Sequence, residues 1–198
     1  MKIKVCGLAP VFDNEALNEL QEIDFLGFIF YPKSKRFTEK TFESNKKKIG
    51  VFVDEETDKI QSAIITENLF AVQLHGNESP SQCLEISQHV IVIKAFNIES
   101  SEDFSLCKTY ENKVDFFLFD SKSEQKGGSG KQFNWSILQD YTGNTPFFLS
   151  GGIGPSDVDK LKAIKHPHFY GIDINSLFES EPCNKNKEEI IRFINQLS

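Results

Sequence analysis

Short apolar runs alternate with longer, helix-patterned polar stretches along this chain. Residues 2–6 (KIKVC), 25–30 (FLGFIF), 49–53 (IGVFV), 70–74 (FAVQL), 90–96 (VIVIKAF), 114–119 (VDFFLF), 146–149 (PFFL) and 168–173 (HFYGID) are each too short for a helix and read as strands. Between them, residues 13–22, 38–44, 55–65, a segment from Pro80, 101–110, 134–141, 155–164 and 187–197 read as helices. Asp13 is the expected N-cap of the first, ahead of Leu17, Leu20 and Ile23, and Pro155 suits the first turn of the seventh. Strand ends recur roughly every 21 to 31 residues, the length of one strand plus one helix. Eight such βα units in strict alternation predict a closed (β/α)8 TIM barrel, with residues 1–198 as a single domain. A doubly wound sheet would prefer G-x-G-x-x-G after its first strand. This chain has Cys6-Gly7-Leu8-Ala9-Pro10 there.

Composition narrows the partners. The 198 residues carry a net charge of −7 with no clustered basic stripe, so a nucleic-acid partner is not expected; Lys46-Lys47-Lys48 is too short a run to change that. Nineteen phenylalanines beside one Met and one Trp imply a core of rigid rings. The four cysteines, Cys6, Cys83, Cys107 and Cys183, are scattered without a C-x-x-C pair, which argues for reduced thiols in a cytoplasmic protein. MKIKVCG lacks a signal-like apolar segment and Pro32 interrupts the run 25–31, so neither secretion nor a membrane span is expected.

In a barrel the chemistry gathers where strands end. Strand one ends in Cys6, strand two leads to Arg36, strand four to His75, strand six to Asp120, strand seven to Ser150-Gly151-Gly152 and strand eight to Asp173. A carboxylate emerging from the apolar run 116–119 is partly desolvated, which favours its protonated form and suits a general acid. A thiol at a strand end can serve as nucleophile or base. The lone His75 reads as a hydrogen-bonded residue and not as a metal ligand; no metal set assembles. Gly151-Gly152, with the turn at Asn175-Ser176 after strand eight, stands where barrels hold phosphate on backbone N–H groups. Gly127, Gly128 and Gly130 make the loop after Asp120 able to approach a ligand closely. That loop is not a nucleotide P-loop, because Gln132 follows Lys131 where Ser or Thr is required. Parity along strand one places Lys2, Lys4 and Cys6 on one face, and a buried Lys4 would need a carboxylate, for which Asp173 is the nearest candidate.

KVCG at 4–7, GFIFYPKSKR at 27–36, GVFV at 50–53, VQLHG at 72–76, FD at 119–120, GGSGKQFNW at 127–135 and LSGGI at 149–153 together resemble the phosphoribosylanthranilate isomerases of tryptophan biosynthesis over nearly the whole chain. The resemblance implies a cofactor-independent Amadori rearrangement, with Cys6 as general base, Asp120 as general acid and Arg36 holding the anthranilate carboxylate. His75, Gly128, Gly151, Gly152, Asn175 and Ser176 would line the substrate, with the phosphate at the last four. No metal or organic cofactor is implied, and the enzyme would act as a monomer or homodimer. Two stretches depart from the family pattern: Leu8-Ala9-Pro10 where a polar residue often follows Gly7, and Cys183-Asn184 in place of the glycine region of a P-G-x-K-D run. The alternatives are the histidine-pathway aminoaldose isomerase, for which an Asp would be expected in place of Cys6, and a catalytically silent barrel that binds a phosphosugar.

Overall fold

A computed structural model describes residues 1–12, 15–121 and 133–197. Eight parallel strands close a barrel in chain order: β1 (Lys2–Leu8), β2 (Phe25–Ile29), β3 (Lys47–Phe52), β4 (Ala71–Leu74), β5 (Ile91–Ile98), β6 (Phe116–Ser121), β7 (Phe147–Leu149) and β8 (Phe169–Ile174), with β8 pairing back onto β1. The closing register sets Lys4 opposite Asp173. Closure follows from the composition of the strands, which are buried on both faces and so leave no edge that could face water.

Side-chain alternation sorts each strand into an inner and an outer set. Phe25, Ile49, Ala71, Ile93, Ala95, Leu118 and Phe148 fill the barrel. Phe117, Phe119 and Phe147 point outward into a layer with Phe104, Tyr141 and Trp135. There Phe119 meets Phe104 edge-on at 5.1 Å and lies tilted against Phe147 at 4.8 Å. These rings anchor β6 from outside, so that its next inward residue after Leu118, Asp120, is carried to the mouth on a rigid strand.

The outer layer is less helical than the polar patterning predicts. Among the described residues four α-helices form, α1 (Thr57–Thr66), α2 (Pro80–Ser87), α3 (Val158–Ala163) and α4 (Lys187–Leu197). Ser79 caps α2 by accepting from the Gln82 N–H. Residues Glu15–Glu19, Ser101–Thr109 and Trp135–Asp140 are instead 3-10 helices, and Pro155–Asp157 is a 3-10 turn leading into α3. The reason lies in spacing: Phe104 and Cys107, like Trp135 and Leu138, are buried three residues apart, and a 3-10 helix with three residues per turn puts such pairs directly in line. The helix expected over 38–44 does not form. Its polar side chains bond elsewhere: Thr38 donates to the Lys40 carbonyl, Thr41 to Glu67 and Ser44 to Asn18. Asp13, the expected cap, lies outside the described residues. A small antiparallel hairpin, β9 (Glu179–Glu181) and β10 (Asn184–Lys185), follows β8 and has no counterpart in the sequence reading. All four cysteines are buried thiols. Among the described residues no helix is long and apolar enough to cross a membrane.

Candidate active site

Lys4 is wholly buried inside the barrel, and its ammonium lies 2.9 Å from Asp173 Oδ2 and 2.7 Å from Gln73 Oε1. The pairing with Asp173 is the one the parity of β1 predicts. Burial opposes the charged amine, but Asp173 and Cys6 outweigh it and hold the Lys4 pKa above its ordinary value. Lys2, by contrast, emerges at the opposite end of β1, where it is half exposed and pairs with Asp24 at 2.6 Å. Cys6, two residues above Lys4 and on the same face, is 3% exposed. Burial pushes its thiol up; the Lys4 ammonium pulls it back through charge and a hydrogen bond, Asp173 adds to the rise, and Lys185 assists Lys4. A buried cation beneath Cys6 is the arrangement a thiolate needs.

Gln73 ties this pair to the far side of the site. Lys4 can only donate, so the Gln73 atom facing it is Oε1, which turns Gln73 Nε2 toward His75 Nδ1 at 2.9 Å. His75 Nδ1 therefore accepts, and the ring proton sits on Nε2, 3.3 Å from Asp120 Oδ2. Asp120 Oδ1 accepts from the Ser121 N–H at 2.8 Å. Among the described residues each oxygen of Asp120 thus has one donor, which orients the carboxyl plane. Lys4, Gln73, His75 and Asp120 make one hydrogen-bonded chain across the barrel from β1 through β4 to β6. Sequence reading missed Gln73, although its signal was present: in V-Q-L-H, Gln73 and His75 share one face of a strand.

The His75 loop rests on a second buried ion pair outside the barrel wall. Lys94 lies 3.0 Å from Glu78 Oε2 and also donates to the carbonyls of Leu74, Gly76 and Ala95. Glu78 in turn accepts from the N–H groups of Asp54 and Gly76. The carbonyls of Leu74 and Gly76 flank His75, so the pair pins the backbone on both sides of it.

Gly151 takes φ +84° and Gly152 φ +67°. A Cβ on Gly151 would stand 2.5 Å from Asp120 Oδ1 and would also strike the backbone of Ser121, so β6 and β7 can meet at the mouth only through a glycine here. The Gly154 N–H is taken by the Asp157 carboxylate at 2.9 Å. Asn175 and Ser176 stand at the start of the 3-10 helix Ser176–Phe178, and Asn175 Oδ1 accepts from Lys185 at 2.8 Å. Arg36, in the loop after β2, pairs with Glu179 at 2.7 Å. Glu179 and Lys185 are two further residues that the sequence reading did not single out. Cys183 takes φ +71°, a left-handed conformation that suits the glycine of the family pattern. Gly128 lies outside the described residues.

Cys6, Arg36, His75, Asp120, Gly151 and Asn175 are thus gathered at one end of one barrel. The family described as N-(5'-phosphoribosyl)anthranilate (PRA) isomerase matches residues 3–196. The N-(5'-phosphoribosyl)anthranilate isomerase of Parabacteroides distasonis is 43% identical over 207 residues, covering 100% of this chain and 93% of that one. The enzyme of the same name from Phocaeicola vulgatus is 42% identical, covering 100% and 98%. Among solved structures, phosphoribosyl anthranilate isomerase from Thermotoga maritima superposes with a TM-score of 0.85 at 31% identity over 100% of this chain and 98% of that one. A second, at TM-score 0.83 and 29% identity over 100% and 98%, is a phosphoribosyl anthranilate isomerase in complex with reduced 1-(o-carboxyphenylamino)-1-deoxyribulose 5-phosphate. A barrel of the same closure, matched from end to end by these relatives, leaves one assignment: this chain belongs to the N-(5'-phosphoribosyl)anthranilate isomerase family.

Proposed function

We propose that this protein catalyses the Amadori rearrangement of N-(5'-phosphoribosyl)anthranilate to 1-(2-carboxyphenylamino)-1-deoxyribulose 5-phosphate in tryptophan biosynthesis, with Cys6 as base and Asp120 as acid. Asp120 gives its proton to the furanose ring oxygen; the C1–O bond breaks, and the nitrogen lone pair forms an iminium at C1. The iminium acidifies the C2 proton, which the Cys6 thiolate removes, and the electrons left behind make the neutral enolamine. Cys6 is now a thiol and Asp120 a carboxylate. Conversion of the enolamine to the ketone needs one proton delivered to C1 and one taken from the C2 hydroxyl, so the same pair can supply both and return to its starting state. No electron acceptor or added nucleophile is required.

The observation that supports this reading is the hydrogen-bonded chain from Lys4, which acts on the Cys6 thiol, through Gln73 and His75 to the Asp120 carboxyl. Asp173 Oδ1 is buried with no hydrogen-bond partner among the described residues, a condition that costs roughly 1–3 kcal/mol and that a substrate hydroxyl would relieve. The left-handed turn at Gly151-Gly152 and the turn at Asn175-Ser176 suit the phosphate, and Arg36 suits the anthranilate carboxylate. Turnover of synthetic N-(5'-phosphoribosyl)anthranilate by the purified protein, together with growth of an isomerase-deficient tryptophan auxotroph carrying its gene, tests the reading. Tight substrate binding without turnover, and no growth, would make the protein a phosphosugar-binding barrel.

A further inference from the structure

Arg36 does not reach the mouth as an isolated charge. Its Nε lies 3.0 and 2.8 Å from the two oxygens of Glu179, and its Nη2 lies 2.7 Å from Glu179 Oε2. A guanidinium has two edges that can grip a carboxylate in parallel: the side edge, Nε with one terminal nitrogen, and the end fork formed by the two terminal nitrogens. Glu179 occupies the side edge. The end fork is the remaining one.

Glu179 is itself held from behind. Its side chain is 3% exposed, and Lys185, whose side chain is 1% exposed, lies 2.5 Å from Oε1 and 2.8 Å from Asn175 Oδ1. The Cys183 N–H donates to the same Oε1 at 3.2 Å, which ties the carboxylate to the turn of the β9–β10 hairpin. Two cations share one carboxylate, so Glu179 is not devoted to Arg36 alone. The Arg36 stem reaches this place across Gly7, where φ is +76° and a Cβ would stand 2.6 Å from Arg36 Cδ and 2.5 Å from Asn175 Oδ1. Gly7 follows Cys6 directly, so the Arg36 stem crosses the chain next to the proposed base.

We infer that Glu179 is a positioning residue: by occupying the side edge of Arg36 and being fixed by Lys185, it aims the end fork at the carboxylate of the anthranilate ring, and so sets the preference for an acidic aryl group. This inference rests on the reading that Arg36 binds that carboxylate. Pre-orientation matters because a free arginine side chain gives up much of its rotamer entropy on binding, whereas one already clamped does not.

Steady-state kinetics on Glu179→Gln, Arg36→Met and the double variant test both ideas separately. Glu179→Gln is expected to raise KM about tenfold with kcat changed less than about threefold. In the Arg36→Met background the same substitution should add less than about twofold, because Glu179 acts through Arg36. An unchanged KM in Glu179→Gln, with KM raised in Arg36→Met, overturns the role of Glu179 and leaves that of Arg36 standing. A full, multiplicative effect in the double variant also overturns it. An unchanged KM in Arg36→Met removes the underlying reading. If Glu179→Gln yields no folded protein, Glu179→Asp carries the same comparison, since it keeps the charge for Lys185 and withdraws it from Arg36 by one methylene.

Discussion

Lys4 and Asp173 face each other across the seam where β8 closes onto β1, with 2.9 Å between Nζ and Oδ2 and neither side chain more than 5% exposed. The pair serves two purposes, because the same ammonium acts on Cys6. Breaking a buried pair by removing one partner leaves an uncompensated charge, so Lys4→Met is expected to cost about 3–5 kcal/mol of stability. Its effect on catalysis has a definite sign. Burial already raises the Cys6 pKa and Lys4 is the main group opposing it; without Lys4 the thiolate forms at higher pH. The limb of the kcat/KM profile that Cys6 sets should therefore shift to higher pH, which a pH–rate profile of the folded variant measures. A limb that stays in place would separate Lys4 from the chemistry.

Replacing either member of the proposed proton-transfer pair should lower kcat without much change in substrate affinity. Cys6→Ala and Asp120→Asn are each expected to reduce kcat by about 10²–10⁴, the usual contribution of positioned proton transfer. Cys6→Ser should be nearly as damaging, since a serine hydroxyl stays protonated at pH values where a thiol can ionise to the thiolate base. Single-turnover measurements decide whether chemistry is the affected step. More than about a tenth of wild-type kcat in Cys6→Ala would reduce Cys6 to a packing residue.

Gln73→Leu removes the link that fixes the His75 tautomer and takes one acceptor from Lys4. The buried ammonium loses a hydrogen bond of roughly 1.5–3 kcal/mol, so a lower melting temperature is expected. His75 becomes able to carry its proton on Nδ1, and Asp120 then loses its donor for part of the population. We expect kcat to fall about tenfold with KM little altered, and the ring-nitrogen chemical shifts of His75 to report a change of tautomer. Unchanged shifts would show that Gln73 does not control the ring.

Gly151→Ala combines a left-handed backbone with a collision against Asp120 and Ser121. The backbone alone costs about 1–2 kcal/mol for a residue with a Cβ. Thermal unfolding should register a drop of roughly 2–8 °C for a chain of this size. Because the displaced group is Asp120, kcat should decline about tenfold or more beyond the loss of folded protein. Intact kcat in the folded fraction would mean that Asp120 tolerates the shift.

The barrel was legible in the chain itself. A strand buried on both faces writes itself as a short continuous apolar run, and eight of these separated by helix-length segments leave little choice but closure. Parity along one strand is equally local, which is why Cys6 and Lys4 could be placed on one face and Asp173 named as partner before any coordinates. Tertiary structure decided what depends on contact between distant segments. Ser101–Thr109 and Trp135–Asp140 are 3-10 and not α because the groove each fills accepts side chains three residues apart, and a groove is made by strands elsewhere in the chain. Gln73 became a link only when Lys4 and His75 were brought to its two ends. Glu179, 143 residues from Arg36, could meet it only after the barrel closed and brought β9 to the loop after β2, because an ion pair is specified by position in space and leaves no periodicity in the sequence.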